Sequence, residues 1–447
     1  MVALRSRRLE GIFGARLDAV TYPQVVSLVT NAVAESGDLE FKEALYGRSD
    51  KAKRDLAADV AALANTVGGV LVLGIQEDDQ ARAVAVSDVA LDNSEQDRIR
   101  QIVSELVHPT PAIDVQQVEN PQGPGQGFLL VAVPRSVMAP HAVKVDVALR
   151  YPRRYGTTTI YLSEAQVAAA YRERFAGFQD RFHDLARLES DLVDRLRDAA
   201  QVFVTVTLVP DLAGDFVLDS KSFREFQLEV LNKDPLVIPR GIYFQKALVG
   251  SRRLVAHGGA TPAAAAYLAC ELHQSGAGAF AVLVDLPARQ DRPAQALSLV
   301  DDEDLVLGIW SGLRFLARHA RDRAAAGGHA AVRASIWPVS HGNPADLVQL
   351  RGLGGSPTSL GRQHVATQPV ATGTFDLDDL AEDGTSLVAA TSALTAGLTQ
   401  YFGFPETPQI TSDGTIRTRY WVSQRYGTRV QQWAEEAGVK TTDDAID

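Results

Sequence analysis

Acidic residues and one lysine crowd a single stretch of the chain, Glu35 to Asp79. Glu40 and Lys42 are two apart, and on a strand that spacing puts both side chains on one face. Glu35 lies just upstream, and Glu77 follows the apolar run Val70 to Ile75. If that run forms a strand beside the first, Glu35, Glu40 and Glu77 could converge. Carboxylates that share a site repel, and one has its pKa raised unless a cation joins them. A hard divalent ion with oxygen ligands is the usual cation. Carboxylates around such an ion, next to a lysine, suit cleavage of a phosphodiester. The plain alternative is that these acids are solvated strand ends, since an isolated E-x-K is common.

The elements that must position these groups follow from periodicity. Leu39 to Leu45 alternates as a short strand, with Leu39, Phe41 and Glu43 on one face and Glu40, Lys42 and Ala44 on the other. Lys51 to Thr66 is predicted helical, with Leu56, Val60 and Leu63 at helical spacing and Ala57, Ala61 and Ala64 widening the stripe. Gly68-Gly69 ends it where a left-handed residue costs little. Val70 to Ile75 is continuously apolar, as a strand buried on both faces must be.

The blocks E-S-G-D-L-E-F-K and A-L-A-N-T-V-G-G-V-L-V-L-G-I-Q-E resemble the signature of the Schlafen AlbA-like domain. Pro140-His141-Ala142-Val143, then Tyr151 to Thr159, then Leu162-Ser163-Glu164 continue it in order, over roughly Leu39 to Phe175. The resemblance implies a catalytic triad of Glu35, Glu40 and Glu77 holding Mg or Mn, with Lys42 beside the phosphate. Animal members with nuclease activity carry an aspartate at the third position. Here Glu77 stands between Gln76 and Asp78, which makes Asp78 an alternative ligand. The same resemblance implies an endoribonuclease acting on structured RNA, tRNA above all, in antiphage defence or stress. Animal relatives close two lobes around one RNA, so a homodimer is the matching expectation for one lobe per chain.

Positive charge gathers at Arg150, Arg153, Arg154, Arg172 and Arg174, with Tyr151 and Tyr155 between them. Cations and aromatics so interleaved suit phosphate contact and base stacking. Lys51, Lys53 and Arg54 open the central helix as a second basic patch. Solvated faces are the alternative, and it is preferred for Arg172 and Arg174. His141 reads as structural.

The net charge of -11 over 447 residues argues against a chain coated in basic residues, though a local stripe can still bind phosphate. A single cysteine, Cys270, in the helix-like run Ala263 to Leu272, rules out an internal disulfide and a cysteine-rich zinc site. No leader or apolar span is evident, which predicts a cytoplasmic protein without membrane contact. No G-x-x-x-x-G-K-S/T is present, and Gly68-Gly69 precedes a strand, so the usual nucleotide cradle is missing. Gly352 to Gly361 reads as a loop.

Elsewhere, Met1 to Leu17 shows no period and reads as a surface arm; Tyr22 to Ala34, Asp92 to Val107 and Ser163 to Phe175 read as helices. Asn93 or Ser94 is the expected cap of the second. His183 to Ala200 reads as a charged linker helix. Beyond it, strands at 202–209, from Tyr243-Phe244, at 279–284 and at 331–339 mix with helices at 302–325, 385–402 and 421–437, and Lys440 to Asp447 reads as frayed. The arginines of the 302–325 helix read as a solvated face, with RNA contact as the alternative. The expected fold class is α+β: a Schlafen AlbA-like mixed α/β domain at 1–178 and an α+β accessory domain at 179–447. The rival to the metal-dependent nuclease is a non-catalytic protein that binds RNA, DNA or ATP.

Overall fold

The computed structural model describes residues 6–194, 202–239, 241–258, 267–284, 298–337, 348–351, 367–421 and 426–444. It divides into two units, Met1–Asp180 and Arg181–Asp447, and both mix helices with strands in an α+β fold.

The first unit begins with α1 (Arg7–Phe13) and α2 (Tyr22–Thr30), then β1 (Leu39–Lys42), α3 (Asp50–Ala64), β2 (Gly68–Leu73), β3 (Ile75–Glu77), β4 (Ala83–Val86) and β5 (Val89–Ala90). There follow α4 (Asn93–Leu106), β6 (Val107–His108), β7 (Asp114–Asn120), β8 (Gly123–Pro134), β9 (Ala142–Val145), β10 (Ala148–Arg150), β11 (Pro152–Tyr155), β12 (Thr158–Tyr161) and α5 (Glu164–Asp194). β1 and β2 run parallel, Leu39 opposite Val70 and Lys42 opposite Leu73. β8 pairs antiparallel with β2, and β7 and β5 both pair with β8.

Alternation along these strands splits the core. Val70, Val72, Leu39 and Phe41 pack with Leu9, Phe13, Val25 and Leu28 of α1 and α2. Leu71 and Leu73 pack with Leu56, Val60 and Leu63 of α3 and Ile99 of α4. Glu40 and Lys42 therefore face the α3 side, because their neighbours Leu39 and Phe41 face the other. The N-terminal segment is a correction: Ser6 caps α1, and Leu9, Phe13 and Leu17 are core residues, so its period was hidden by brevity. α4 is capped by Asp92, not by Asn93 or Ser94.

Gly68 and Gly69 do not end α3, contrary to the expectation from the sequence; the helix stops at Ala64 with Asn65 as its C-cap, and the two glycines open β2. Their φ values are +78 and +157, and a Cβ on Gly69 would lie 2.5 Å from the Asp38 carbonyl oxygen. β2 can approach the start of β1 that closely only without a side chain there.

The second unit holds the latter part of α5, from Arg181, then β13 (Phe203–Leu212), α6 (Ser220–Asn232), β14 (Lys246–Gly250), β15 (Arg253–Gly258), β16 (Leu268–His273), β17 (Gly278–Leu283) and β18 (Ser298–Asp301). α7 (Asp302–Arg318), β19 (Gly327–Trp337), β20 (Val348–Arg351), β21 (Val370–Asp376), α8 (Leu377–Ala381), α9 (Thr385–Thr399), β22 (Ile416–Arg417), α10 (Gly427–Glu436) and β23 (Thr441–Thr442) complete it. Seven strands form one sheet in the order β14-β15-β16-β17-β13-β19-β21, with antiparallel neighbours throughout. α7 crosses it with its apolar stripe inward, and Gly308 and Gly312 let it lie against Val204 and Val206.

Several expectations change here. Ser163 to Phe175 and the linker helix are one helix, α5, with no break between them. Cys270 sits on a strand, not a helix, fully buried and free. The arginines of α7 and of the turn after it are tied down: Arg314 and Arg318 to Asp383 at 3.3 and 3.0 Å, and beyond the helix Arg321 to Asp322 and Glu382 and Arg323 to Glu229. The terminal segment expected to fray pairs through β23 with β22. The Gly352 to Gly361 loop lies outside the described residues.

Candidate active site

β1 is an edge strand, bonded to β2 on one side only, so its outer amides need other partners. Glu35 supplies one: its Oε1 accepts from the Phe41 N–H at 2.7 Å. That bond folds the segment 35–38 back over β1. Burial pushes the Glu35 carboxyl up to about 7; the Phe41 amide opposes this, and the charges of Glu40 and Glu77 add to it. Glu35 thus feels carboxylates from two other segments, Glu40 of β1 and Glu77 of β3.

Glu40 is 6% exposed, yet it is not left as bare charge. One oxygen meets the Lys42 ammonium and the other the Arg154 guanidinium. Burial works against the Lys42 charge, but Glu40, Asp59 and Glu35 outweigh it and hold its pKa above the ordinary value. Arg154 belonged to the expected phosphate-contacting set; instead it is buried against the carboxylates, because its side chain lies on the inner face of the β11–β12 hairpin.

The hairpin is carried by the end of α3. Asn65 Nδ2 donates to the carbonyls of His141 and Pro152 at 2.9 and 2.8 Å, and its Oδ1 accepts from the His141 amide at 2.6 Å. Thr66 Oγ1 accepts from the Arg154 amide at 3.0 Å. His141, wholly buried with Nδ1 against the Pro109 carbonyl, is structural, as expected. Asn65 and Thr66 were visible in the sequence only as letters of the A-N-T block. Nothing local told that they hold Arg154 in place.

Two further residues of the site were missed. Asp59 of α3 lies within electrostatic reach of Lys42, Glu40 and Arg154, and burial pushes its carboxyl up. Tyr46 donates to it at 2.6 Å, and burial followed by Asp59 pushes the phenol up. Asp59 sits next to Val60 in the helix stripe, and that position was the available signal.

Asp78 does not join the cluster. Its Oδ1 accepts from the amides of Gln80 and Arg82 at 2.8 and 2.9 Å, and those amides hold its pKa down. It builds the turn after Glu77, so the alternative ligand is withdrawn. A divalent ion needs carboxylate oxygens free to coordinate it. Glu40 spends both of its oxygens on cations and Glu35 one on an amide. Among the described residues, no three His, Cys, Asp or Glu side chains gather as a metal-holding group. As placed, Glu35, Glu40 and Glu77 do not fit Mg or Mn.

Of the other basic residues, Lys51 is exposed, Lys53 lies 3.7 Å from Asp50, and Arg54 bonds Asp146 at 2.6 Å. Arg150 and Arg153 are exposed, and the Arg150 guanidinium lies 5.5 Å from the Tyr161 ring centroid. The second unit contains cavities of about 860 and 440 Å³ that share Asp234 and Arg314, and no expected site residue lines them. Among the described residues, no helix is long and apolar enough to cross a membrane.

Residues 35–161 match the family model described as Schlafen, AlbA_2. That span contains Glu35, Glu40, Glu77 and the hairpin, and it is a Schlafen AlbA-like domain within the longer chain. Two solved structures resemble part of the chain. The DIP2311 protein from Corynebacterium diphtheriae is 23% identical over 37% of this chain and 29% of that one, with a TM-score of 0.24. The N-terminal domain of a Nitrosomonas europaea protein described as related to the ATP-dependent DNA helicase RecG is 23% identical over 31% of this chain and 93% of that one, with a TM-score of 0.22. TM-scores this low carry no argument about activity. No curated protein matches the chain.

Proposed function

We propose that the AlbA-like domain acts on nucleic acid as an endoribonuclease, with structured RNA as substrate. The observation that carries this is the meeting of Glu35, Glu40 and Glu77 with Lys42 and Arg154 at one sheet edge. Phosphodiester cleavage needs a base for the attacking hydroxyl and cations for the charge that develops on phosphorus. Glu35, with a pKa near 7, is suited to take that proton at neutral pH. Lys42 and Arg154 hold positive charge beside it, and Glu40 fixes both. Exposed Arg153, Arg150 and Lys51 would position the backbone. By the family resemblance, tRNA is the favoured substrate, antiphage defence or stress the setting, and a homodimer the working form.

The test is cleavage of total tRNA and of single- and double-stranded DNA, with Mg, Mn or EDTA, by the wild-type chain and Glu35→Gln. RNA cuts lost in the variant support the proposal, and the EDTA arm decides whether a divalent ion is required. A second reading is favoured by the pairing of Glu40 with Lys42 and Arg154, which neutralises that carboxylate. It is binding of nucleic acid without cleavage, with Glu40 serving only to neutralise Lys42 and Arg154. RNA or DNA bound by both proteins and cut by neither would establish it.

A further inference from the structure

The β11–β12 hairpin has two unlike faces. Its register pairs Arg153 with Ile160 and Tyr155 with Thr158, so these four side chains share one face. Arg154 and Thr159 share the other, where Arg154 reaches Glu40. On the Tyr155 face, Tyr155 is 77% exposed and Ile160 39%; Tyr161 lies with Pro152 on the other face, under the Arg150 guanidinium. Large apolar side chains held this far out, beside cations, are not core residues. Neither Arg150 nor Arg153 has an acidic partner among the described residues. The hairpin turn also adjoins the carboxylates: the Gly156 carbonyl oxygen lies 3.9 Å from where a Cβ on Gly37 would stand, between Glu35 and Glu40.

Aromatic faces with unpaired cations complement one part of a nucleic acid in particular. A phosphate satisfies the Arg153 guanidinium, and an unstacked base covers the Tyr155 ring. A continuous duplex offers the phosphates but keeps its base faces closed. We infer that the Tyr155 face of the hairpin binds unpaired nucleotides of the substrate, so that the bond presented to the carboxylates lies in or beside a single-stranded segment. This rests on the proposed action on RNA and names the part of the RNA that is engaged.

The test is fluorescence anisotropy with a labelled unstructured uridine-rich RNA strand and an RNA duplex of equal length, on the full chain carrying Glu35→Gln. The single strand should bind about tenfold tighter, and Tyr155→Ala should remove most of that difference while leaving duplex binding unchanged. Tyr155→Phe should keep it. Equal affinity for the two RNAs, or no effect of Tyr155→Ala, overturns the inference. A change in sedimentation with RNA affinity unaltered also overturns it, because the face would then dock protein. Wild type that binds unpaired RNA through Tyr155 but cuts nothing would sink the nuclease proposal and leave this inference standing. Duplex RNA cut as well as single-stranded RNA, by wild type and by Tyr155→Ala alike, would do the reverse.

Discussion

Buried glutamates in both units meet arginine, and two of them, Glu40 and Glu189, are arranged to opposite ends. Glu189 of α5 is 3% exposed. It accepts from Thr205 Oγ1 at 2.9 Å, Trp337 Nε1 at 3.2 Å, Arg333 Nε at 2.6 Å and the Ser335 hydroxyl. Its lone pairs are used by donors from β13 and β19, and it pins α5 to the sheet. Glu40 also meets an arginine, but Glu35 crowds it with like charge, as does Asp59. A satisfied buried charge specifies how elements dock. A crowded one stores electrostatic tension, and its open edge is where chemistry can use it.

Breaking the satisfied site should cost most. Glu189→Ala leaves Arg333 without its carboxylate and should destabilise the second unit by about 3–5 kcal/mol in urea unfolding. A loss under about 1 kcal/mol would erase the contrast. Glu35→Gln should behave oppositely: cleavage falls at least about 100-fold while the fold holds. The sign of its pH effect follows from the raised pKa. Protonated Glu35 is favoured in the folded chain, so its contribution is fully present at low pH and is lost as pH rises from about 4.5 through about 7. Relative to wild type, Glu35→Gln should therefore gain stability between pH 5 and pH 8. The gain should be about 1–2 kcal/mol, discounted because the group is only half-buried. A flat difference across that range would remove the tension from the argument.

Asn65→Ala tests the support rather than the charge. Freed carbonyls at His141 and Pro152 should cost about 1–3 kcal/mol and let the hairpin shift, lowering RNA affinity with it. Unfolding curves and anisotropy would separate the two effects. The smallest change expected is at Arg54, whose pair with Asp146 is exposed on both sides. Arg54→Ala should move stability by less than about 1 kcal/mol.

The backbone of the site was legible because its periods are strong. β1, α3 and β2 emerged from alternation, a helical stripe and an unbroken apolar run, and their order placed Glu40 and Lys42 on one face. The partners were not legible. Arg154 reaches Glu40 across more than a hundred residues, and Asn65 reaches Pro152 across 87. Such pairings are set by how hairpins pack, on which local spacing is silent. The same silence made Arg154 look like a surface cation and Asp78 like a ligand. In the second unit, the alanine-rich approach to Cys270 has no period that separates a buried strand from a helix.

The two glycines after α3 set a limit on how this domain can vary. With 2.5 Å between the Asp38 carbonyl and any Cβ at Gly69, no side chain fits without parting β1 from β2. Parting them would carry Glu40 and Lys42 away from Glu77. The Tyr155 face could be redrawn without touching the strand pairing, whereas position 69 allows no such drift. Surface chemistry is thus the inheritable variable of this architecture, and the spacing of its carboxylates is the fixed gauge.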